Sequence, residues 1–310
     1  MDLFALFTAW QLLCTGILAA AVSREGAKET YAYLKQLEKH AQVEFDDFGP
    51  TSNHINCKSF SLKDAEYYAA YAGLAYCKDD AIRRWDCNHC LKLGRKNEVS
   101  THDNPYNKTR ALLVVDSKRK EIVLAFRGTK HSLKNWWLNF SFRKTKFIAG
   151  KVHSGFNQVA QHLKGYYIEK LKSHLIAHPD YTLVITGHSL GGAAALLSAV
   201  ILQSEVKMNW SRIHLITYGQ PRVGDKEFAT WLNLKPLYLT RVVNEDDLVP
   251  HFPPRFMNFQ HTHTEMFINR GRARICRTDQ SEDRSCSNSK KFNLGFERHS
   301  SAFKTIFGTV

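Results

Sequence analysis

Beyond residue 22, no apolar run in this 310-residue sequence approaches the ~20 residues needed to cross a bilayer. Repeated membrane spans are thereby excluded. The chain also lacks low-complexity tracts and internal repeats, which rules out a repeat array. Acidic residues are the minority, 29 against 43 Lys and Arg, giving a net charge of +14. No nucleic-acid-binding motif accompanies that excess, so nucleic acid is not an expected partner. The basic residues are scattered, with modest clusters at Lys118-Arg119-Lys120, Arg143-Lys144 and Arg270 to Arg277. Such a surface either attracts anionic material, such as acidic polysaccharide or anionic lipid, or is simply a solvated basic exterior.

Apolar residues are plentiful: 44% of the chain is hydrophobic and 12% aromatic, enough for one large core or two small ones. The start is distinctive. Leu3 to Val22 read "LFALFTAWQLLCTGILAAAV", without a charge, and Ala19 to Ala21 supply an A-x-A pattern. This is the form of a secretory signal peptide cleaved near Ala21 or Ser23. Its n-region is poor, with the acidic Asp2, so a signal anchor is the alternative. No stop-transfer pattern follows, which favours cleavage and a secreted, extracellular protein. Cys14 lies in this leader, and Cys57, Cys77, Cys87, Cys90, Cys276 and Cys286 remain. Six cysteines in a secreted chain imply three disulfides, with 15 pairings open. A zinc site at Cys87-Asn88-His89-Cys90 would need Cys57 and Cys77 as further ligands, and is the weaker reading. Asn107, Asn139 and Asn209 begin glycosylation sequons.

Residues 22–56 read as an N-terminal extension or pro-segment, helix-prone from Lys28 to Gln42. A helix is expected from Leu62 to Tyr76, then a Cys- and Lys-rich loop region to about Thr109. From there the pattern alternates. "ALLVVD", "EIVLAF", "YTLVITG", "IHLITYG" and "YLTRVVN" read as strands. The stretch after His153, "SLGGAAALLSAVILQSEV" and "KEFATWL" read as helices. Such alternation implies an α/β fold with a mostly parallel central sheet buried on both faces. Residues 57–310 thus form one expected catalytic domain.

The chemistry centres on Gly187-His188-Ser189-Leu190-Gly191, a G-x-S-x-G sequence. An apolar strand leads into it and a helix leaves it, the setting of a nucleophile elbow. At Gly187 and Gly191 a side chain would strike a neighbouring strand or helix. The helix N-terminus adds positive potential near a developing anion. A serine hydroxyl needs a base, and the base needs an orienting acid. In this kind of fold the chain order is Ser, acid, His. Glu245, Asp246 and Asp247 follow the strand "LTRVVN". His251, His261, His263 and His299 are the downstream bases. His261 and His263 alternate in an apparent strand, where a structural role is the simpler reading. His299, in the terminal segment "FERHSSAF", is free to fold back over the serine, and spacing modestly favours it.

Several segments together carry a resemblance: "VLAFRGTKHSLKNWWLNF", "KVHSGF", "VITGHSLGGAAALL", "YGQPRVGD" and "VNEDDLVPHFPP". With "RWDCNHC" and "CRTDQSEDRSCSNS", they make residues 61 to 303 resemble, in collinear order, the class 3 lipases secreted by filamentous fungi. The resemblance implies an α/β-hydrolase fold with a short helical lid, no cofactor and no metal. Its nucleophile matches Ser189. Its acid, standing before a hydrophobic-Val-Pro run, matches Asp247, and its base matches His299. The oxyanion hole it implies combines the Leu190 N–H with Thr129, which follows Phe-Arg-Gly. The family also implies the pairings Cys87–Cys90 and Cys276–Cys286. A C-terminal cysteine often found in the family is missing here, which leaves Cys57 as the natural partner of Cys77. The segment from Arg24 to Asn56 has no counterpart in the resemblance.

"GTKHSLKNWWLNF", residues 128–140, places Leu133, Trp136, Trp137 and Phe140 at i, i+3, i+4 and i+7, with Ser132 available as N-cap. Alone it reads as an ordinary packed helix. The resemblance places the lid here, closed over the serine in water and turned outward at a lipid surface. The expectation is therefore a secreted, monomeric triacylglycerol lipase that meets lipid at an oil–water or membrane interface. Phospholipase A1 or feruloyl-type esterase activity on the same scaffold, and a catalytically silent lipid-surface-binding protein, are the rival readings.

Overall fold

The computed structural model describes residues 60–96, 98–105, 108–129, 141–277, 282–290, 294–303 and 305–307. The leader (1–21), the extension (22–56), Cys57, the sequons at Asn107 and Asn139, and Leu133, Trp136, Trp137 and Phe140 all lie outside the described residues.

The first described helix, α1 (Leu62–Leu74), begins where the Ser61 hydroxyl accepts the Asp64 N–H, a side-chain N-cap. The expected loop region that follows is more ordered than its composition suggests. It holds helices α2 (Asp79–Arg84) and α3 (Asn88–Leu93) and strand β1 (Glu98–Asp103). Six residues are too few for a helical period to show. β1 is half-exposed along its middle, without alternation.

Strands β2 (Arg110–Asp116) and β3 (Glu121–Arg127) are buried at every residue. After the small pair β4 (Lys144–Lys146) and β5 (Lys151–His153), the 24-residue helix α4 (Ser154–Ala177) leads back to β6 (Thr182–His188). Helix α5 (Leu190–Val206), β7 (Ile213–Tyr218), helix α6 (Lys226–Asn233) and β8 (Tyr238–Asn244) follow. β9 (Glu265–Asn269) and β10 (Arg272–Ile275) finish the sheet, and β11 (Ser301–Ala302) pairs with β12 (Thr305–Ile306) near the end. The strand expected around His261 and His263 begins instead at Glu265. There the loop is tied sideways: His261 Nε2 bonds the Pro250 carbonyl at 2.7 Å and its N–H the Glu282 carboxylate at 3.1 Å.

The eight-stranded sheet runs β1-β2-β3-β6-β7-β8-β9-β10. Its centre, β3 through β9, is parallel, and antiparallel strands close both edges. Because side chains alternate along each strand, one face offers Leu113, Leu124, Phe126, Leu183 and Ile185 to α4 and α5. The other offers Leu112, Val114, Val123, Ala125 and Val184 to α1. Both faces are covered, as a parallel centre requires. This is the α/β-hydrolase arrangement, with the carboxyl ends of β3, β6, β7 and β8 gathered along one edge of the layer. Among the described residues no helix is long and apolar enough to cross a membrane.

Candidate active site

Ser189 sits between β6 and α5 with φ 58° and ψ −128°, a conformation that L-residues rarely hold. The turn is possible because its flanks are glycine. A Cβ at Gly187 would lie 2.3 Å from the Gly191 carbonyl oxygen, and one at Gly191 would lie 2.2 Å from that of Phe126. The first contact is with the helix and the second with β3, so the elbow is pressed against both neighbours. The Ser189 N–H donates to the Tyr218 carbonyl at the end of β7 (2.9 Å), and the Ser189 carbonyl accepts from Gly192 and Ala193. Every backbone bond therefore fixes the residue, whereas Ser189 Oγ is buried with no hydrogen-bond partner among the described residues.

Of the three acids after β8, only Asp247 turns inward, 1% exposed. Its Oδ1 accepts the Val249 N–H at 2.9 Å. Glu245 and Asp246 face Arg298 instead, at 3.1 and 3.8 Å. Of the four histidines, His299 is the one whose Nδ1 meets both Asp247 oxygens, at 3.0 and 2.9 Å. The terminal segment reaches the acid by backbone stitching. Leu248 N–H donates to Gly295 O, Gly295 N–H donates to Asp246 O, and the Asn244 amide donates to the carbonyls of Arg298 and Ser301. His299 Nε2 is buried and, like Ser189 Oγ, has no partner among the described residues. The arrangement offers a nucleophile without a bound proton acceptor, and an imidazole whose proton is committed at Nδ1 to a carboxylate.

Thr129 follows Gly128 at the carboxyl end of β3, and its buried Oγ1 is also unbonded among the described residues. Leu190 is the first residue of α5, where backbone N–H groups lack intrahelical acceptors. The sequence quoted as "YGQPRVGD" contains a residue whose role the pattern did not reveal. Arg222, 3% exposed, forms a two-point ion pair with Glu282 (Nε–Oε1 2.9 Å, Nη2–Oε2 2.5 Å). It also donates to the His251 and Pro253 carbonyls, so it clamps the loop after Asp247 to the segment bearing Cys276–Cys286. Burial alone would raise the Glu282 carboxyl, but Arg222 beside it holds it well below the usual carboxylate range.

Cys87–Cys90 and Cys276–Cys286 are bonded. The Cys87–Cys90 bond occupies the two thiolates that a zinc reading of that segment needs. Cys77 is half-buried and has no disulfide partner among the described residues, and as a thiol it is pushed up to about 11, chiefly by burial. The expected Cys57–Cys77 bond is not among the described disulfides, Cys57 being outside the described residues. Asn209 is exposed and caps a short 3-10 turn through Ser211 N–H. Glu98, His174 and His178 bring three ligand-type atoms within 4.8 Å. They lie at the amino-terminal end of β6, away from Ser189, and His174 and Glu98 form a surface pair at 3.4 Å.

The model of the family "Lipase (class 3)" matches residues 123–257. A lipase of Rhizopus niveus is 34% identical over 236 residues, covering 74% of this chain and 60% of the relative. Secreted mono- and diacylglycerol lipase 1 of Fusarium solani is 31% identical over 219 residues, covering 68% of this chain and 64% of the relative. The solved structure of lipase II from Rhizopus niveus superposes with a TM-score of 0.74 at 31% identity, covering 79% of this chain and 95% of that one. The chain spans roughly three fifths of the length of the curated relatives it matches.

Proposed function

The chain belongs to the class 3 lipase family, and on that premise we propose that it is a serine hydrolase cleaving carboxylic esters of lipids, with triacylglycerols as its substrate class. The observation that carries this reading is a pair of buried, unbonded atoms, Ser189 Oγ and His299 Nε2, with Asp247 fixed behind the imidazole. His299 Nε2 takes the Ser189 proton as Oγ attacks the ester carbonyl. Asp247 holds the Nδ1–H tautomer and stabilises the imidazolium that forms. The Leu190 N–H, with the N–H and hydroxyl of Thr129, receives the oxyanion. His299 then protonates the departing alcohol, and water cleaves the acyl-enzyme by the same steps in reverse. The cycle as written requires no cofactor.

Residues 130–140 act as the lid in this reading. The supporting facts are the helical spacing of Leu133, Trp136, Trp137 and Phe140 in the sequence, and the position of this stretch directly after Thr129. Broad indole rings with a wet N–H suit a lipid–water boundary. Trp136→Ser is expected to lower hydrolysis of emulsified triolein far more than that of a dissolved short-chain ester. Equal losses on both would sink the lid assignment. The uncharged run from Leu3 to Val22 and the naming of the Fusarium solani relative as secreted support export, with cleavage near Ala21, an extension at 22–56 and a single catalytic domain over 57–310 acting as a monomer. N-terminal sequencing of the exported protein checks the cleavage site.

The net charge of +14 favours one second reading, phospholipase A1 activity on anionic membranes. A panel of triolein, tributyrin, phosphatidylglycerol and methyl ferulate separates the two. Preference for triolein supports the first. Preference for phosphatidylglycerol that collapses with added salt supports the second. Hydrolysis of none of them removes both.

A further inference from the structure

We infer that Tyr76 and His188 are a pair of positioning residues, forming one directional hydrogen-bond chain that ties the backbone before Thr129 to the backbone of His299. The inference rests on the hydrolase reading above and concerns two side chains outside its chemistry. Four groups meet in a line. Gly128 N–H lies 3.0 Å from Tyr76 Oη, and Tyr76 Oη lies 2.9 Å from His188 Nδ1. His188 Nε2 lies 2.8 Å from the His299 carbonyl oxygen.

The polarity of the chain follows from its ends. A carbonyl only accepts, so His188 Nε2 must carry a proton. His188 is 3% exposed, and burial, followed by the adjacent His299 ring, drives it well below the ordinary histidine range. It is therefore neutral and has a single N–H, which leaves Nδ1 as an acceptor. Tyr76 must then donate its hydroxyl proton to Nδ1. Its lone pair is free for the Gly128 N–H, which can only donate. All four groups are satisfied by one arrangement of protons, and no other arrangement satisfies them.

Geometry makes the chain short of slack. The His188 ring stacks on Phe307, with centroids 4.3 Å apart at 11°, and lies 4.4 Å from the His299 ring. A Cβ on Gly128 would be 2.6 Å from Tyr76 Oη and 2.7 Å from the His188 carbonyl. The His299 side chain is set by Asp247 and its main chain by His188. The Arg127–Gly128 peptide, one before that of the oxyanion-hole residue, is set by Tyr76. The relative placement of base and oxyanion donors thus runs through two side chains that touch no reacting atom. The neutral His188 also offers no competing base, because its only N–H faces a carbonyl and its Nδ1 is occupied.

The test uses the full chain and a dissolved p-nitrophenyl butyrate substrate, with each variant's active sites counted by fluorophosphonate labelling. Tyr76→Phe removes one oxygen, and His188→Phe keeps a stacking ring while removing both bonds. Each is expected to lower kcat about 10- to 100-fold while KM moves less than about threefold, the sign of misplaced rather than missing groups. The double variant is expected to lose far less than the product of the two, since one break already opens the chain. His188→Gln, whose amide can again donate to the His299 carbonyl, is expected to recover most of the loss. A kcat within twofold of the parent in Tyr76→Phe, or multiplicative losses in the double variant, would overturn the inference while the hydrolase reading stood. Absence of both parent hydrolysis and Ser189 labelling would overturn that reading, and this inference with it. Should His188→Phe fail to fold, Tyr76→Phe and its kcat-to-KM split decide alone.

Discussion

Two buried polar clusters sit at opposite ends of the same strands, and they are built on opposite principles. At the amino-terminal end of β3 and β6, the Asp116 carboxylate is saturated. It accepts from Tyr67 (2.6 Å), Tyr71 (3.0 Å) and Lys96 (2.7 Å), and from the Arg119 N–H (3.3 Å). At the carboxyl-terminal end, Ser189 Oγ, His299 Nε2 and Thr129 Oγ1 are buried without partners among the described residues. A buried polar atom left unsatisfied costs about 1–3 kcal/mol. One end therefore spends its polar groups on holding the fold, and the other leaves them open, as the proposed reaction requires. The backbone around Ser189 is nonetheless fully tied, so what is withheld is the side-chain bonding alone.

Substitutions at the two ends should separate activity from stability. The largest effect is expected from Ser189→Ala, with ester hydrolysis down by at least about 10⁴-fold. Its melting temperature should be unchanged or higher, because an unsatisfied hydroxyl is removed. A clear loss of stability would place Ser189 among the structural residues instead. Next, Asp116→Ala should reverse the pattern. It leaves the buried Lys96 ammonium and two tyrosine hydroxyls without their acceptor, for a loss of about 3–5 kcal/mol in chemical denaturation. Hydrolysis per folded, labelled molecule should stay within about twofold, and a selective fall in kcat would erase the division between the ends.

Thr129→Val should lower kcat by about 10²-fold with little change in denaturation midpoint. A midpoint shift without a rate change would reassign its hydroxyl to the fold. The smallest effect concerns acid. His153 caps α4 through Phe156 N–H (3.2 Å), and burial pushes it down to about 4. Its folded pKa lies below the unfolded value of about 6.5, so the unfolded chain takes up protons first. The stability it contributes is present above pH 6.5 and is lost as pH falls toward 4, on the order of 1–3 kcal/mol. The buried His188 adds to the same slope. Asp116 is also shifted down: burial alone would raise it, but Lys96 and the tyrosine hydroxyls hold it below its ordinary value of 3.8. Its contribution is present above that value and is lost as pH falls below it, through the lower folded-state value. His153→Asn, which keeps a capping oxygen, should flatten the loss of melting temperature between pH 6.5 and 4.5. An unchanged slope would remove His153 as its source.

The geometry of the candidate site was legible in the sequence where chemistry and chain order coincide. Gly187-x-Ser189-x-Gly191 between an apolar strand and an apolar helix marks an elbow because only glycines fit where the backbones touch. The strands β2, β3 and β6 carry continuous apolar runs, and β7 and β8 apolar stretches interrupted by His214 and by Thr240-Arg241; all five were equally readable. Choosing Asp247 from three adjacent acids required the family resemblance. The physical reason for that choice, Arg298 drawing the other two outward, depends on a residue more than 50 positions away. Tyr76 left no local signal at all, since its partner His188 is 112 residues distant and any buried tyrosine looks alike in sequence. The Arg222–Glu282 clamp, 60 residues apart, was hidden in the same way. The helices α2 and α3 escaped because six residues do not display a helical period, and β1 because its half-exposed residues neither alternate nor form an apolar run. The alternating "HTHTE" imitates a strand, whereas its first histidine is anchored by Pro250 and Glu282 in a loop.

The central claim is that Ser189 is withheld from bonding so that it can attack an ester. Treating the protein with a fluorophosphonate and mapping the adduct by peptide mass spectrometry tests it most directly. One adduct per molecule, on Ser189, appearing in step with loss of ester hydrolysis and abolished in His299→Ala, is the expected result. An adduct elsewhere, or full hydrolysis by protein labelled at Ser189, would contradict the account.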